Sequence, residues 1–167
     1  AFAIAQEFSQ RARDAEAANF LSFENERVRA DNTDGTGLMR DITANLDFRM
    51  AGRRILLLGA GGAARGVLTP LLQQQPAALV IANRTVDKAL RLAHAAQRHG
   101  QAQAVDLAAS GFEDLAGQHF DLAINATSSS LQGEMPPLPA GVFAAGALAY
   151  DMMYGTGLTP FLAFAEE

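Results

Sequence analysis

The chain of 167 residues contains no cysteine and no tryptophan, and Lys88 is its single lysine. Without a thiol, neither a disulfide framework nor a thiolate nucleophile is available. Aromatic residues make up 7% of the chain, so alanine and leucine carry most of the apolar mass. The net charge is −5, which excludes a surface built to neutralise nucleic-acid phosphates. A small basic pocket for one phosphate is still allowed. His94, His99 and His119 are not arranged like metal ligands, so no metal site is expected. No apolar run reaches membrane-spanning length, and the N-terminus lacks the charged-then-apolar order of a signal peptide. The expectation is a soluble, cytoplasmic protein that engages neither membrane nor nucleic acid.

The apolar fraction, 49%, suffices for a sizeable core of helices packed on a sheet. Phe2, Ile4, Ala5 and Phe8 recur at helical spacing, which predicts a helix over residues 2–13. A chain that opens inside a helix reads as a piece whose start lies upstream. Strands are expected over 17–23 and 27–30, on either side of a polar turn at Glu24 and Asn25. Asp31-Asn32-Thr33-Asp34-Gly35 is a dense cluster of turn and cap residues. Leu38, Ile42 and Leu46 continue helically from it, with Thr33 or Asp34 as the cap. Short apolar runs then alternate with helical patterns. Strands are expected at 54–58, 78–82, 102–105, 120–124 and 147–152, and helices at 63–74, 86–98 and from 158 onward. This alternation means βαβ units with right-handed crossovers. The fold class is α/β, a Rossmann-like doubly wound and mostly parallel sheet. The stretch 128–139, rich in Ser, Gly and Pro, reads as a loop at the lip of a site.

Gly59-Ala60-Gly61-Gly62-Ala63-Ala64 follows a predicted strand and opens a helix, the setting that a dinucleotide fingerprint requires. Gly59 permits the tight turn, and Gly61 lets the backbone approach a pyrophosphate. Ala64 replaces the third glycine, where a small residue lets helix and strand pack closely. The helix start contributes free N–H groups and partial positive charge. An NAD-binding unit places a carboxylate at the tip of its second strand for the ribose 2′-OH. Here that tip reads Asn83-Arg84-Thr85, with Lys88 one helical turn on. A guanidinium can clamp two oxygens of a 2′-phosphate, so NADP is favoured over NAD.

Five segments in this order and spacing resemble the shikimate dehydrogenase family. They are Asp31-Asn32-Thr33-Asp34-Gly35, then 59–66, then Asn83-Arg84-Thr85, then Asn125-Ala126-Thr127-Ser128-Ser129, then Tyr150-Asp151-Met152-Met153-Tyr154. The resemblance implies NADPH-dependent reduction of 3-dehydroshikimate to shikimate, in the pathway to aromatic amino acids and chorismate. It implies that Asp34 is the active-site aspartate, paired with a lysine beside the reacting oxygen. It also implies that Asn19 holds substrate hydroxyls and that Tyr154 lies near the substrate carboxylate. Gly59, Ala60, Gly61, Gly62 and Ala63 would hold the pyrophosphate. Asn83, Arg84, Thr85 and Lys88 would hold the adenosine phosphate, and Asn125, Ala126, Thr127 and Met152 the nicotinamide side. Residues 1–33 would be a remnant of a substrate-binding domain and residues 34–167 the NADP-binding domain. The family's lysine and its carboxylate-gripping serines would lie upstream, so residues 1–167 alone are expected to be inactive. The chain departs from the family pattern at Glu16, Phe20 and Ser130. The partner is a small molecule, and a homodimer is compatible with the reading. Two alternatives stay open: a quinate/shikimate dehydrogenase, against which Arg84 argues, and a non-catalytic NADP-binding module, against which Asp34 and Asn19 argue.

Overall fold

A computed structural model of the chain describes residues 2–129, 134–153 and 157–167. Two sheets form. The larger has five parallel strands in the order β6-β5-β4-β7-β8. These are β4 (Arg54–Leu58), β5 (Ala78–Ala82), β6 (Asp106–Ser110), β7 (Phe120–Asn125) and β8 (Phe143–Asp151). Helix α3 (Gly62–Gln73) connects β4 to β5, and α4 (Val86–Arg98) connects β5 to β6. The sequence predicts β5 and α4 with these bounds. On β4, alternate side chains enter separate cores: Ile55 and Leu57 one, Leu56 and Leu58 the other. All four are fully buried, so this apolar run is a strand covered on both faces. Each such side chain contributes roughly 1.5–3 kcal/mol of burial. The strand order reverses between β4 and β7, and ligands of open α/β sheets bind at such a reversal.

The smaller sheet has the order β1-β3-β2. It comprises β1 (Glu7–Phe8), β2 (Phe20–Glu24) and β3 (Arg27–Asp31). Between β2 and β3, Asn25 and Glu26 both take positive φ, 49° and 64°, the requirement of a two-residue hairpin turn. Helix α1 (Gln10–Ala15) connects β1 to β2, and α2 (Asp34–Arg40) follows β3. After β8, α5 (Pro160–Glu166) starts at Thr159, whose hydroxyl accepts the Leu162 N–H.

Two expected strands shift, β8 beginning at Phe143 rather than 147 and β2 at Phe20 rather than 17, and three expected elements differ in kind. The helix over 2–13 is a short 3-10 turn, the strand β1 and then α1. The N–H groups of Gln6 and Ser9 bond to the carbonyls of Val28 and Ala30, so β3 recruits this segment as an extended neighbour. Ser9 then starts the helix afresh, its hydroxyl accepting the Ala12 N–H. The strand expected at 102–105 is a turn, and β6 begins at Asp106, where its backbone meets Ala78 of β5. The helix carrying Leu38 and Ile42 changes to a π turn at Asp41–Asn45. The extra residue per turn shifts the phase, and Leu46 is left exposed while Ile42 is buried.

Candidate active site

The glycine-rich turn joins β4 to α3 at the reversal point. Gly59 has φ +105°, and a Cβ there would stand 3.0 Å from the Ala126 carbonyl oxygen, so the position suits glycine alone. Gly61 is the residue before α3, and a Cβ on it would meet nothing within 4 Å. That open space is part of a cavity of about 630 Å³ at the carboxyl ends of β4, β5 and β7. Ala64, the third small position, is fully buried where α3 meets the sheet.

The cavity brings together residues far apart in sequence. Ala60, Gly61, Gly62 and Ala63 form one wall, and Asn83, Arg84, Thr85 and Lys88 another. Ala126 and Thr127 lie on a third. Asn83 Nδ2 donates to the Thr85 carbonyl at 2.9 Å, which folds the tip of β5. Thr85 precedes α4 but makes no side-chain cap bond. Among the described residues, Arg84 and Lys88 form no ion pair. Two cations without carboxylate partners at the mouth of a cavity suit an anionic ligand.

Three expected cofactor contacts stand back from this cavity. Gly59 shapes the turn from behind. Asn125 is fully buried. Its Oδ1 accepts the Thr127 N–H and hydroxyl at 3.1 and 2.7 Å, and its Nδ2 donates to Asp151 at 3.2 Å. It therefore shapes the loop after β7 and ties it to β8. Met152 packs against the core, and Met153, whose N–H bonds to Asp151 Oδ1, lines the cavity in its place. Tyr154 and Ser130 lie outside the described residues.

Further residues line the cavity, of which Phe112 is not singled out by the sequence. Phe112 follows β6 as Arg84 follows β5, and a correct placement of β6 would have pointed to it. Ser128, Ser129 and the run Glu134-Met135-Pro136-Pro137 also line the cavity. They belong to the stretch whose composition marked it as a lip.

A second polar cluster stands at the end of the smaller sheet. Asn19 Nδ2 donates to Asp34 Oδ1 at 2.6 Å. Asn19 Oδ1 accepts from the N–H and hydroxyl of Thr33 at 3.0 and 3.2 Å. Thr33, the residue before α2, makes no cap bond, and Asn32 Oδ1 accepts the Asp34 N–H instead. Asp34 is therefore the first residue of α2, not its cap, and its Oδ1 is bonded to Asn19. Below this cluster, Asp31 accepts from Arg11 and from Ser9. The Arg11 guanidinium holds the Asp31 carboxyl down at about 2. Asn19 and Asp34 do not line the large cavity. Ala17 nevertheless lies 3.6 Å from where a Cβ of Gly62 would stand, so the loop before Asn19 abuts the cavity wall.

Tyr150 on β8 donates its hydroxyl to Asp41 at 2.7 Å, fastening the end of α2 to the larger sheet. Burial and then this bond push the phenol up to about 12. Asp41 is lowered by hydrogen bonds from Asn45 and then Tyr150.

A family model described as shikimate / quinate 5-dehydrogenase matches residues 41–132, more than half of the chain. The chain belongs to the shikimate/quinate dehydrogenase family. A relative from Chromobacterium violaceum, named shikimate dehydrogenase (NADP(+)), is 59% identical over 166 residues. That alignment takes in 99% of this chain and 59% of the relative. Among solved structures, an Ael1 enzyme from Pseudomonas putida superposes with a TM-score of 0.84 at 50% identity, covering 99% of this chain and 59% of its own. The shikimate dehydrogenase of Thermus thermophilus, solved with NADP(H) and shikimate, gives 0.78 at 30% identity, covering 98% and 58%. The chain thus spans about three fifths of the length of the family members it matches. Among the described residues, no helix is long and apolar enough to cross a membrane.

Proposed function

We propose that the protein is an oxidoreductase that reduces 3-dehydroshikimate to shikimate with NADPH. The observation that carries this reading is the meeting of the glycine-rich turn with Arg84 and Lys88 on one cavity at the sheet's reversal point. The fit to a phosphorylated dinucleotide is physical. Gly61 leaves room where a side chain would stand, and α3 offers N–H groups to a diphosphate. Arg84, flanked by Lys88, suits a ribose 2′-phosphate. The relatives named for NADP(+) support the same choice. When bound, the coenzyme supplies a hydride.

The chain's own residues position and polarise. Reducing a ketone builds negative charge on its oxygen, and a proton must reach it. Asp34 holds Asn19 through Oδ1, which leaves Oδ2 to orient a proton donor beside that oxygen. Asn19 uses one amide hydrogen on Asp34 and its oxygen on Thr33, which leaves one N–H for a substrate hydroxyl. Residues 1–33 serve the substrate side and residues 34–167 the coenzyme side.

The test is Asp34→Asn in the full-length protein. NADPH binding, read by fluorescence titration, stays within about two-fold of wild type. Turnover of 3-dehydroshikimate falls at least about 100-fold, the usual worth of a positioned acid–base group. Quinate oxidation is assayed alongside, since the family description includes it. Undiminished turnover in the variant would remove Asp34 from the chemistry.

A further inference from the structure

Asn32 and Asn125 are the buried polar residues among those described, and Asn32 sits between the polar cluster and the cofactor turn. Its Oδ1 accepts the Asp34 N–H at 3.2 Å, and its Nδ2 donates to the Ala17 carbonyl at 3.3 Å. The amide lies flat against Gly66 of α3. A Cβ on Gly66 would stand 2.7 Å from Oδ1 and 2.9 Å from Nδ2. Gly35, the residue after Asp34, is packed as closely, since a Cβ there would run into Pro70 of α3. The loop leading to Asn19, the start of α2 and the helix that opens at the cofactor turn therefore meet on one side chain. An apolar residue of equal size would leave two main-chain groups without their partner. A larger residue at 66 would lift both off α3.

We propose that Asn32 is a positioning residue, seated on Gly66, that sets where the Asn19–Asp34 pair stands relative to the coenzyme cavity. The inference rests on the functional reading above. Asn32 touches no reacting group; it acts through the main chain of Asp34 and Ala17. Displacing a catalytic pair by an ångström costs up to about 100-fold in rate, whereas the coenzyme walls at β4, β5 and β7 do not depend on this amide.

The experiment is a double-mutant cycle in the full-length protein with Asn32→Ala, Gly66→Ala and the pair together. Ketone and NADPH are varied separately, NADPH affinity is titrated, and thermal midpoints are recorded. Each single variant lowers kcat/KM for the ketone about 10- to 100-fold and leaves NADPH affinity within about two-fold. In the double variant, Gly66→Ala adds less than about two-fold, because its methyl enters space the amide has vacated. Independent, multiplying losses would overturn the proposal. So would ketone and coenzyme parameters falling together with the thermal midpoint, the mark of a general structural role. Should Asn32→Ala not fold, Gly66→Ala is read alone: the same selective loss for the ketone, with NADPH affinity kept, is expected, and unchanged ketone kinetics would overturn the proposal. An active wild type whose variants match it would sink this inference alone, whereas an inactive wild type would sink the functional reading as well.

Discussion

The two sheets of this protein are finished differently. The five-stranded sheet buries β4 and β5 on both faces, with Ile55, Leu57, Leu79 and Ile81 fully enclosed. The three-stranded sheet leaves Phe20 and Phe23 exposed by 54% and 72%. Each carries half of the candidate site, and each holds it by different means. On the larger sheet the walls are backbone turns fixed by packing. On the smaller one the groups are held by hydrogen bonds, Asn19 to Asp34 and Thr33, and Asn32 to Asp34 and Ala17. Packing fixes the strand ends on which the cleft is built, and the Asn83 and Asn125 amides pin two of its turns. A hydrogen-bonded cluster gives exact orientation and is lost one bond at a time.

Three measurements sharpen this contrast. The largest effect is expected at the tip of β5. On the proposed reading, Arg84→Gln in the full-length protein removes the guanidinium that would clamp the 2′-phosphate and raises KM for NADPH about 100-fold, while NADH is used as before. Steady-state kinetics with both coenzymes check it, and equal losses for both would detach Arg84 from phosphate recognition.

Next comes the glycine-rich turn, where two neighbouring glycines should respond in opposite ways. Gly59→Ala places a Cβ 3.0 Å from the Ala126 carbonyl at φ +105°, costing about 2 kcal/mol of stability. Gly61→Ala meets open space and leaves denaturant stability within about 0.5 kcal/mol, but its methyl narrows the cavity and weakens coenzyme binding. Equal stability losses at both would mean that the turn is shaped otherwise.

The smallest effect concerns the smaller sheet. The folded state holds Asp31 down at about 2, below its ordinary range near 4. Its contribution is therefore complete above about pH 4 and is lost as pH falls toward 2. Because Arg11 is half exposed, water screens the pair and about 1 kcal/mol is at stake. Arg11→Met should flatten the acid limb of a stability–pH curve between pH 4 and 2, and an unchanged limb would assign acid sensitivity elsewhere.

Residues whose job is done by their neighbours in sequence were legible. The run 54–58 with its glycines, and the Asn83-Arg84-Thr85 tip, announce a strand, a turn and a cationic strand end on the cavity through local chemistry. The missed residues depend on register. The pattern of 102–110 does not say which stretch will pair with β5, so the expected strand lies four residues before β6 and hides Phe112. Met153 lines the cavity where Met152 is expected, and its N–H bonds to Asp151 Oδ1.

By itself, the sequence determined the α/β alternation, the glycine-rich turn between strand and helix and the cationic strand tip, because each follows from residues within one turn or strand. Tertiary structure alone decided that Asn19 would meet Asp34, that Asn32 would rest on Gly66, and that Tyr150 would reach Asp41 across 109 positions. Such contacts join segments whose separate patterns say nothing of one another. They exist only once the sheets have packed, and the buried Asn32 must then find its partners or bear the cost of losing water.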